Sequence, residues 1–404
     1  MLTSIFQMSF ASIQNATLIY FGMPVTNSNL RKVNLFALVY NTAIIAAFPT
    51  SFLVKRLGLG PMVRFAMIGH FIAAWMRFGG AMLQSEYGFW ICFAGQFLAS
   101  LMQPSLSYSN TLMSSSWFGS NERAIATTIA SFSNLFGSGV AFALATMVSE
   151  TRSWTLWVLV LIHAIIATVL AVGGVPFFKS KPPTPANIAS LDQNNEQTSF
   201  FKDLWLLVTN INIILLAITF GLGFGCINAL LSLIGQIVTP KNYTGANASI
   251  FGLLVIFCGG IGAVIFGFLL DRTKRFRLLM WISGLGALVS LSAFTFFIRY
   301  DKSTTNMLIL SMSSALLGGF ALPFVPIVME LACEISYPVT ASTSNVVMGS
   351  AGTFCAIGFI LGLQELATKE IIDGEEKIVS MQIAMYVILG SFAFALFVFI
   401  FFRG

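Results

Sequence analysis

The sequence predicts an all-α polytopic membrane protein with twelve transmembrane helices. Two observations lead there. Of the 404 residues, 57% are hydrophobic and only 9% are charged, more apolar surface than a water-soluble domain of this length can bury. Stretches of about 20 apolar residues, each able to cross roughly 30 Å of hydrocarbon, recur along the whole chain. They lack the polar–apolar alternation of membrane-barrel strands. They are therefore read as helices, which satisfy their backbone hydrogen bonds internally.

In chain order the spans fall near residues 3–23, 33–54, 61–83, 88–115, 123–148, 154–177, 205–238, 249–270, 277–298, 305–333, 340–368 and 379–402. The first begins almost at Met1 without a basic leader or a cleavage site, so it is expected to be retained; a leader upstream of Met1 stays open. Span 4 contains Pro104, span 7 the run GLGFG at 221–225, and span 10 Pro323 and Pro326. Such residues let helices bend during transport or, for the glycines, pack closely. Between spans 6 and 7 lies a polar, proline-bearing stretch with no apolar period, the composition of a linker. The expected organisation is an N-terminal six-helix bundle over 1–178, a cytoplasmic linker over 179–204 and a C-terminal six-helix bundle over 205–404.

The formal net charge is +6, and its distribution explains it without nucleic acid. Lys55, Arg56 and Arg64 follow span 2, Lys179, Lys181 and Lys202 lie in the linker, and Arg272, Lys274, Arg275 and Arg277 follow span 8. These are all even-numbered loops, so the positive-inside rule puts them, and both termini, in the cytoplasm. Arg31, Lys32, Arg299 and Lys302 lie on the other side, in less dense clusters. The plasma membrane is the expected location. Asn242 and Asn247 each begin a glycosylation sequon in the loop between spans 7 and 8, which agrees with an outside location for that loop. The five cysteines lie in apolar spans without CxxC spacing and read as buried hydrophobes. No metal or cofactor is expected. The partners expected are the lipid bilayer and a small-molecule substrate, and the chain is expected to act as a monomer.

Five of the seven residues at 271–277 are charged, between two apolar runs. With Gly267 they form a pattern, Gly267, Asp271, Arg272, Lys274 and Arg275, that resembles the G-x-x-x-D-R-x-x-R/K-R/K loop of the major facilitator superfamily. The resemblance implies two six-helix bundles. It also implies a conformational latch, in which the glycine lets two helices approach closely and the charged residues make and release contacts. The matching loop of the first half departs, with Ser51 in place of the glycine and Lys55 in place of the aspartate.

Three further stretches narrow the likeness: FPTSFLVKRLGL at 48–59, Trp117, Phe118, Gly119 and Glu122 after span 4, and Glu330, Glu334, Tyr337 and Pro338 after span 10. Together they resemble the feline leukaemia virus subgroup C receptor (FLVCR) family. That resemblance implies transport of choline and ethanolamine, with haem as a disputed cargo. It also implies a choline pocket with a Trp on the first helix, a Gln on the fifth and a Tyr on the seventh. Ungapped extension brings Ser12, Leu135 and Asn228 to those positions, and all three depart from the pattern. Glu122, Glu330 and Glu334 join the latch residues as gating candidates.

Polar side chains inside spans face a cavity or a partner, and in the major facilitator plan spans 1, 4, 7 and 10 build the site near mid-depth. The substrate candidates are therefore Gln14, Gln103, Tyr108, Asn228 and Gln236, with interhelical hydrogen bonding as the competing role. Arg77, near the end of span 3, is expected to snorkel. His70 and His163 are expected to pack rather than to carry protons or ligate haem. No Asp or Glu stands mid-span and no nucleotide-binding loop is present, which favours facilitated diffusion over proton or ATP drive. The readings are a facilitative carrier for a choline- or ethanolamine-like solute, a haem or porphyrin exporter, and a non-transporting receptor or sensor on the same scaffold. No catalytic constellation suggests an enzyme.

Overall fold

The structure, a computed structural model, describes the chain except residues 43–49, 51–52, 54–56, 108–112, 114–116, 119–121, 149–153, 180–199, 337–338, 340, 373–374 and 403–404. It is helical almost throughout. The helices are α1 (Leu2–Met8), α2 (Gln14–Tyr20), α3 (Asn27–Thr42), α4 (Leu59–Met82), α5 (Glu86–Ser107), α6 (Arg123–Ala145), α7 (Trp154–Phe177) and α8 (Phe200–Thr209). They continue as α9 (Ile211–Val238), α10 (Gly245–Thr273), α11 (Phe276–Phe297), α12 (Thr304–Ala321), α13 (Phe324–Ile335), α14 (Ala341–Glu365) and α15 (Gln382–Ile400). Eight of the described helical stretches are long and apolar enough to cross a membrane.

Backbone contacts divide the chain into two compact units. Unit 1 holds residues 1–10, 15–24 and 35–197; unit 2 holds 11–14, 25–34 and 198–404. The linker expected at 179–204 lies mostly outside the described residues. In unit 1, α4 packs along α5 and α7, while α1 lies against α5, α6 and α7. In unit 2, α9 packs on α14 and α15, and α12 on α10 and α11. One apolar core of unit 2 gathers Phe220, Phe266, Phe276, Met280, Met348 and Phe399.

Four spans differ from the expectation. Residues 205–209 of span 7 belong to α8, and α9 starts anew after Asn210, whose side chain accepts from Asn212 N–H at 3.0 Å. Span 1 is broken: α1 and α2 are separated by Ser9–Ile13, although the segment has neither Pro nor Gly. The break is stabilised in part by backbone from far along the chain, since Gly235 N–H donates to Ala11 O at 3.4 Å. A Cβ on Gly235 would meet that oxygen at 3.0 Å and Ser12 O at 3.1 Å, so a glycine lets the two backbones approach. Span 10 is broken at Leu322 and Pro323, where a proline cannot supply the N–H that continues α12. Span 11 ends at Glu365, and the polar stretch after it is a hairpin rather than a plain loop. Its strands β1 (Thr368–Ile372) and β2 (Glu375–Ser380) pair antiparallel with Lys369 opposite Ile378 and an irregularity beside Thr368.

Span 7 keeps its helix through GLGFG, and there the close-packing account holds. A Cβ on Gly225 would stand 2.7 Å from Cys355 Cβ, and one on Gly221 3.1 Å from Ala351 O, both on α14. All five cysteines are free, two of them buried and three half-buried.

Candidate functional site

The break in span 1 puts Gln14 at the first residue of α2, inside unit 2. From there its side chain reaches two partners. Gln14 Nε2 donates to Ser232 O on α9 at 3.1 Å and to Asn34 Oδ1 on α3 at 2.9 Å. Gln236 Nε2, on α9, donates to the same Asn34 oxygen at 3.1 Å. Asn34 Nδ2 donates in turn to Gln364 Oε1 on α14 at 2.7 Å. A carbonyl only accepts, so Ser232 O fixes which end of the Gln14 amide faces it, and the remaining orientations follow down the chain of bonds.

All four amides are buried, and the cluster is incomplete. Gln14 Oε1, Gln236 Oε1 and Gln364 Nε2 have no hydrogen-bond partner. An orphaned buried polar atom costs about 1–3 kcal/mol, whereas an interhelical hydrogen bond in a membrane returns about 0.6 kcal/mol on average. The cluster is thus held at a net cost. It offers two neutral acceptors and one donor and carries no charge.

The cluster lies at the end of unit 2 that carries the hairpin, because Gln364 is one residue from the end of α14. Charged and polar side chains surround it there. Arg31 pairs with Glu365 at 2.6 Å, Lys369 reaches Glu365 at 3.7 Å and Glu376 at 3.9 Å, and Asn27 Nδ2 donates to Glu376 Oε2 at 2.9 Å. Ser249 Oγ donates to Ser12 Oγ at 2.8 Å, also within unit 2.

The structure thus unites two of the five substrate candidates, Gln14 and Gln236. Asn228 lies lower on α9, buried, with its Oδ1 unpartnered. Gln103 belongs to unit 1, half-buried, with its Oε1 unpartnered. Tyr108 lies outside the described residues. Sequence reasoning missed Asn34 and Gln364. Both were available as polar residues near the ends of spans, where water is the ordinary partner.

Among the latch candidates, the close approach expected at Gly267 is not found among the described residues: a Cβ there would meet none of them within 4 Å. Arg272 lies 4.5 Å over the Phe268 ring, a local contact. Lys274 ends α10 in the left-handed conformation (φ 51°), with its N–H on Leu270 O at 2.8 Å, and Arg275 precedes α11. The side chain of Asp271 lies outside the described residues. Glu122 caps α6 without a side-chain hydrogen bond and is exposed, as are Glu330 and Glu334 on α13. Of the two sequons, Asn242 is exposed and Asn247 is not. Asn247 is buried in a capping box with Thr244, and its Oδ1 accepts from Lys302 Nζ at 3.0 Å.

Unit 1 holds a second polar centre, and it corrects the reading of Arg77. The side chain does not snorkel; it is 0% exposed. Its guanidinium carbon lies 4.4 Å from the Phe6 ring centre and 5.0 Å from that of Phe10. Nε, Nη1 and Nη2 have no hydrogen-bond partner. His70 and His163 flank the same Phe6 ring at 6.0 and 5.9 Å. Both are fully buried, and His70 Nδ1 lies 2.9 Å from Ala66 O. Burying an ion costs several kcal/mol, while each cation–π contact returns about 0.5–2 kcal/mol, so two rings leave the guanidinium short of compensation.

Comparison with known proteins bears on the family and the fold. The profile of the Major Facilitator Superfamily matches residues 1–363. Solute carrier family 49 member A3 of Xenopus tropicalis is 31% identical over 367 residues, covering 89% of this chain and 73% of that protein. The choline/ethanolamine transporter FLVCR2 of Homo sapiens is 26% identical over 315 residues, 75% of this chain and 58% of that protein. The choline/ethanolamine transporter FLVCR1 of Mus musculus is 25% identical over 361 residues, 83% of this chain and 63% of that protein. The chain therefore spans less than two thirds of the length of these last two. Among solved structures, the nucleoside transporter NupG matches with a TM-score of 0.69 at 14% identity, over 100% of this chain and 98% of that one. A D-xylose-proton symporter matches at 0.70 and 14%, over 98% and 94%. At such identity the likeness shows the fold alone.

Proposed function

The chain belongs to the major facilitator superfamily, with its twelve-helix, all-α membrane fold, and on that premise we propose that this transporter carries a small polar organic solute, choline- or ethanolamine-like, down its gradient by alternating access. The observation that carries the reading is the incomplete amide cluster around Asn34. Its members come from α2, α3, α9 and α14, and three polar atoms stand ready for a partner. Loss of its hydrogen bonds opens the hairpin end of unit 2 and turns the same amides towards the passing solute. Ser232 Oγ and then Asn228, lower on α9, are the next unpartnered polar groups on that route. Gln103 of unit 1 keeps its assignment to substrate.

The chemistry favours a solute with its own donors. Two neutral acceptors and one donor match an ammonium N–H and a hydroxyl. A quaternary ammonium has no N–H and is held by aromatic faces instead. Ethanolamine is therefore the better fit at this cluster, and choline the family's alternative. Every acid whose burial is described is exposed, which supports a facilitative mechanism rather than a proton-driven one. The hairpin end faces the outside and both termini the cytoplasm, at the plasma membrane, if loop charge sets the orientation.

The test is counterflow uptake of labelled ethanolamine and choline into liposomes containing the purified chain, with and without a pH gradient. Uptake of ethanolamine in excess of choline, insensitive to the gradient and impaired by Asn34→Ala, is the expected result. No uptake of either by folded protein sinks the choline/ethanolamine reading. Uptake that follows the pH gradient sinks the facilitative one.

A further inference from the structure

We propose that Arg77 anchors an anion site inside unit 1, one that takes a carboxylate or a halide. The proposal goes beyond the amide cluster and does not rest on which solute the protein carries.

The guanidinium is fully buried, and none of its three nitrogens has an acceptor. Phe6 and Phe10 meet the cation with their ring faces, which answers part of its charge but occupies no N–H. Other buried groups around it also lack partners. Tyr40 Oη and both ring nitrogens of His163 are buried and unpartnered, and Tyr40 and His163 are within electrostatic reach of Arg77. His70 Nε2 is unpartnered too, but with Nδ1–H on Ala66 O it is an acceptor. Gln96 turns its Nε2 to Phe6 O at 2.9 Å and Phe36 O at 3.2 Å, leaving Oε1 free. That oxygen is neutral and cannot balance the charge. Glu86 and Glu122, the acids of unit 1 whose burial is described, are both exposed.

A buried guanidinium is ordinarily retained with a counter-ion and filled hydrogen bonds. Here the Arg77 N–H groups and the Tyr40 hydroxyl are donors without acceptors, the neutral acceptors nearby carry no charge, and an anion is the missing member. A carboxylate matches the planar fork of donors with two oxygens; a halide accepts the same N–H groups as a sphere. The anion has two conceivable sources, a carboxylate on the transported solute and a free inorganic ion.

The experiment separates them. The purified full chain, in lipid nanodiscs and a bulky sulfonate buffer, is melted by tryptophan fluorescence. Sodium chloride or sodium acetate is titrated in at constant ionic strength. The expected result is a saturable rise in the melting midpoint, lost in Arg77→Gln and weakened in Tyr40→Phe. A rise with chloride assigns the site to a free anion, and a rise with acetate alone assigns it to a solute carboxylate. A flat titration of the wild-type protein with both salts overturns the proposal. So does a rise that Arg77→Gln retains. Where Arg77→Gln does not fold, Tyr40→Phe decides, because it deletes one hydroxyl only; a rise it keeps in full overturns the site.

Discussion

Asn34 Nδ2 lies 2.7 Å from Gln364 Oε1, and this bond closes a buried cluster in which Asn34 is the only residue that touches the other three amides. Removing Asn34 therefore orphans more than its own partner. Asn34→Ala is expected to lower stability by about 1–3 kcal/mol, and Gln364→Ala by less. Asn34→Asp keeps the acceptor for Gln14 and Gln236 but buries a carboxylate against Gln364 Oε1, and should cost at least as much as Asn34→Ala. Thermal unfolding in detergent ranks the three. An Asn34→Ala protein as stable as wild type would mean that the cluster adds nothing to this state.

The ion pair beside the cluster is a different matter. Arg31 and Glu365 approach to 2.6 Å, yet their side chains are 43% and 56% exposed. Exposed pairs contribute about 0–1 kcal/mol and are screened by salt. Arg31→Ala should shift stability by no more than that, and the shift should shrink in high salt.

Gly225 and Gly267 make opposite predictions. Gly225→Ala drives a methyl to 2.7 Å from Cys355 Cβ and should destabilise by about 1–3 kcal/mol. Cys355→Gly removes that Cβ and should restore part of the loss. Among the described residues, Gly267→Ala meets open space within α10, where alanine is favoured over glycine by about 0.8–1.0 kcal/mol. Its melting midpoint should hold or rise. If transport falls while stability holds, the latch role of Gly267 belongs to another conformation.

The sequons separate in the same way. If the loop between α9 and α10 faces the lumen during synthesis, Asn242 is the acceptor. Asn242→Gln should abolish the mobility shift on glycosidase treatment. Asn247→Gln should leave the shift in place and weaken the capping box, which costs about 0.5–2 kcal/mol.

Much of this was legible in the residues. Long apolar runs locate the helices, and Pro323 marks the break in span 10. Gln14 and Gln236 stand out because a carboxamide in hydrocarbon needs a partner. What the sequence hides is which partner. Asn34 and Gln364 sit near span ends, where water ordinarily serves, and only tertiary packing excludes it. Arg77 misled for a related reason. Its place on α4 allows snorkelling, but the rings of Phe6 and Phe10 close over it, and no local pattern predicts that. The break at Ser9–Ile13 lacks a helix-breaking residue, since its partner backbone comes from Gly235.

That last contact bears on how the protein is made. Each half of the first span is seven residues long, about 10 Å of helix at 1.5 Å per residue, against roughly 30 Å of hydrocarbon. Neither half crosses a bilayer as an independent helix. The N–H that holds Ala11 O belongs to a residue the ribosome reaches only in span 7. Span 1 therefore reaches its final form only after span 7 has been made. Until α9 is inserted, the unpaired backbone at Ala11 must rest on water, translocon or chaperone. A chain released before span 7 should be recognised as unfinished at span 1.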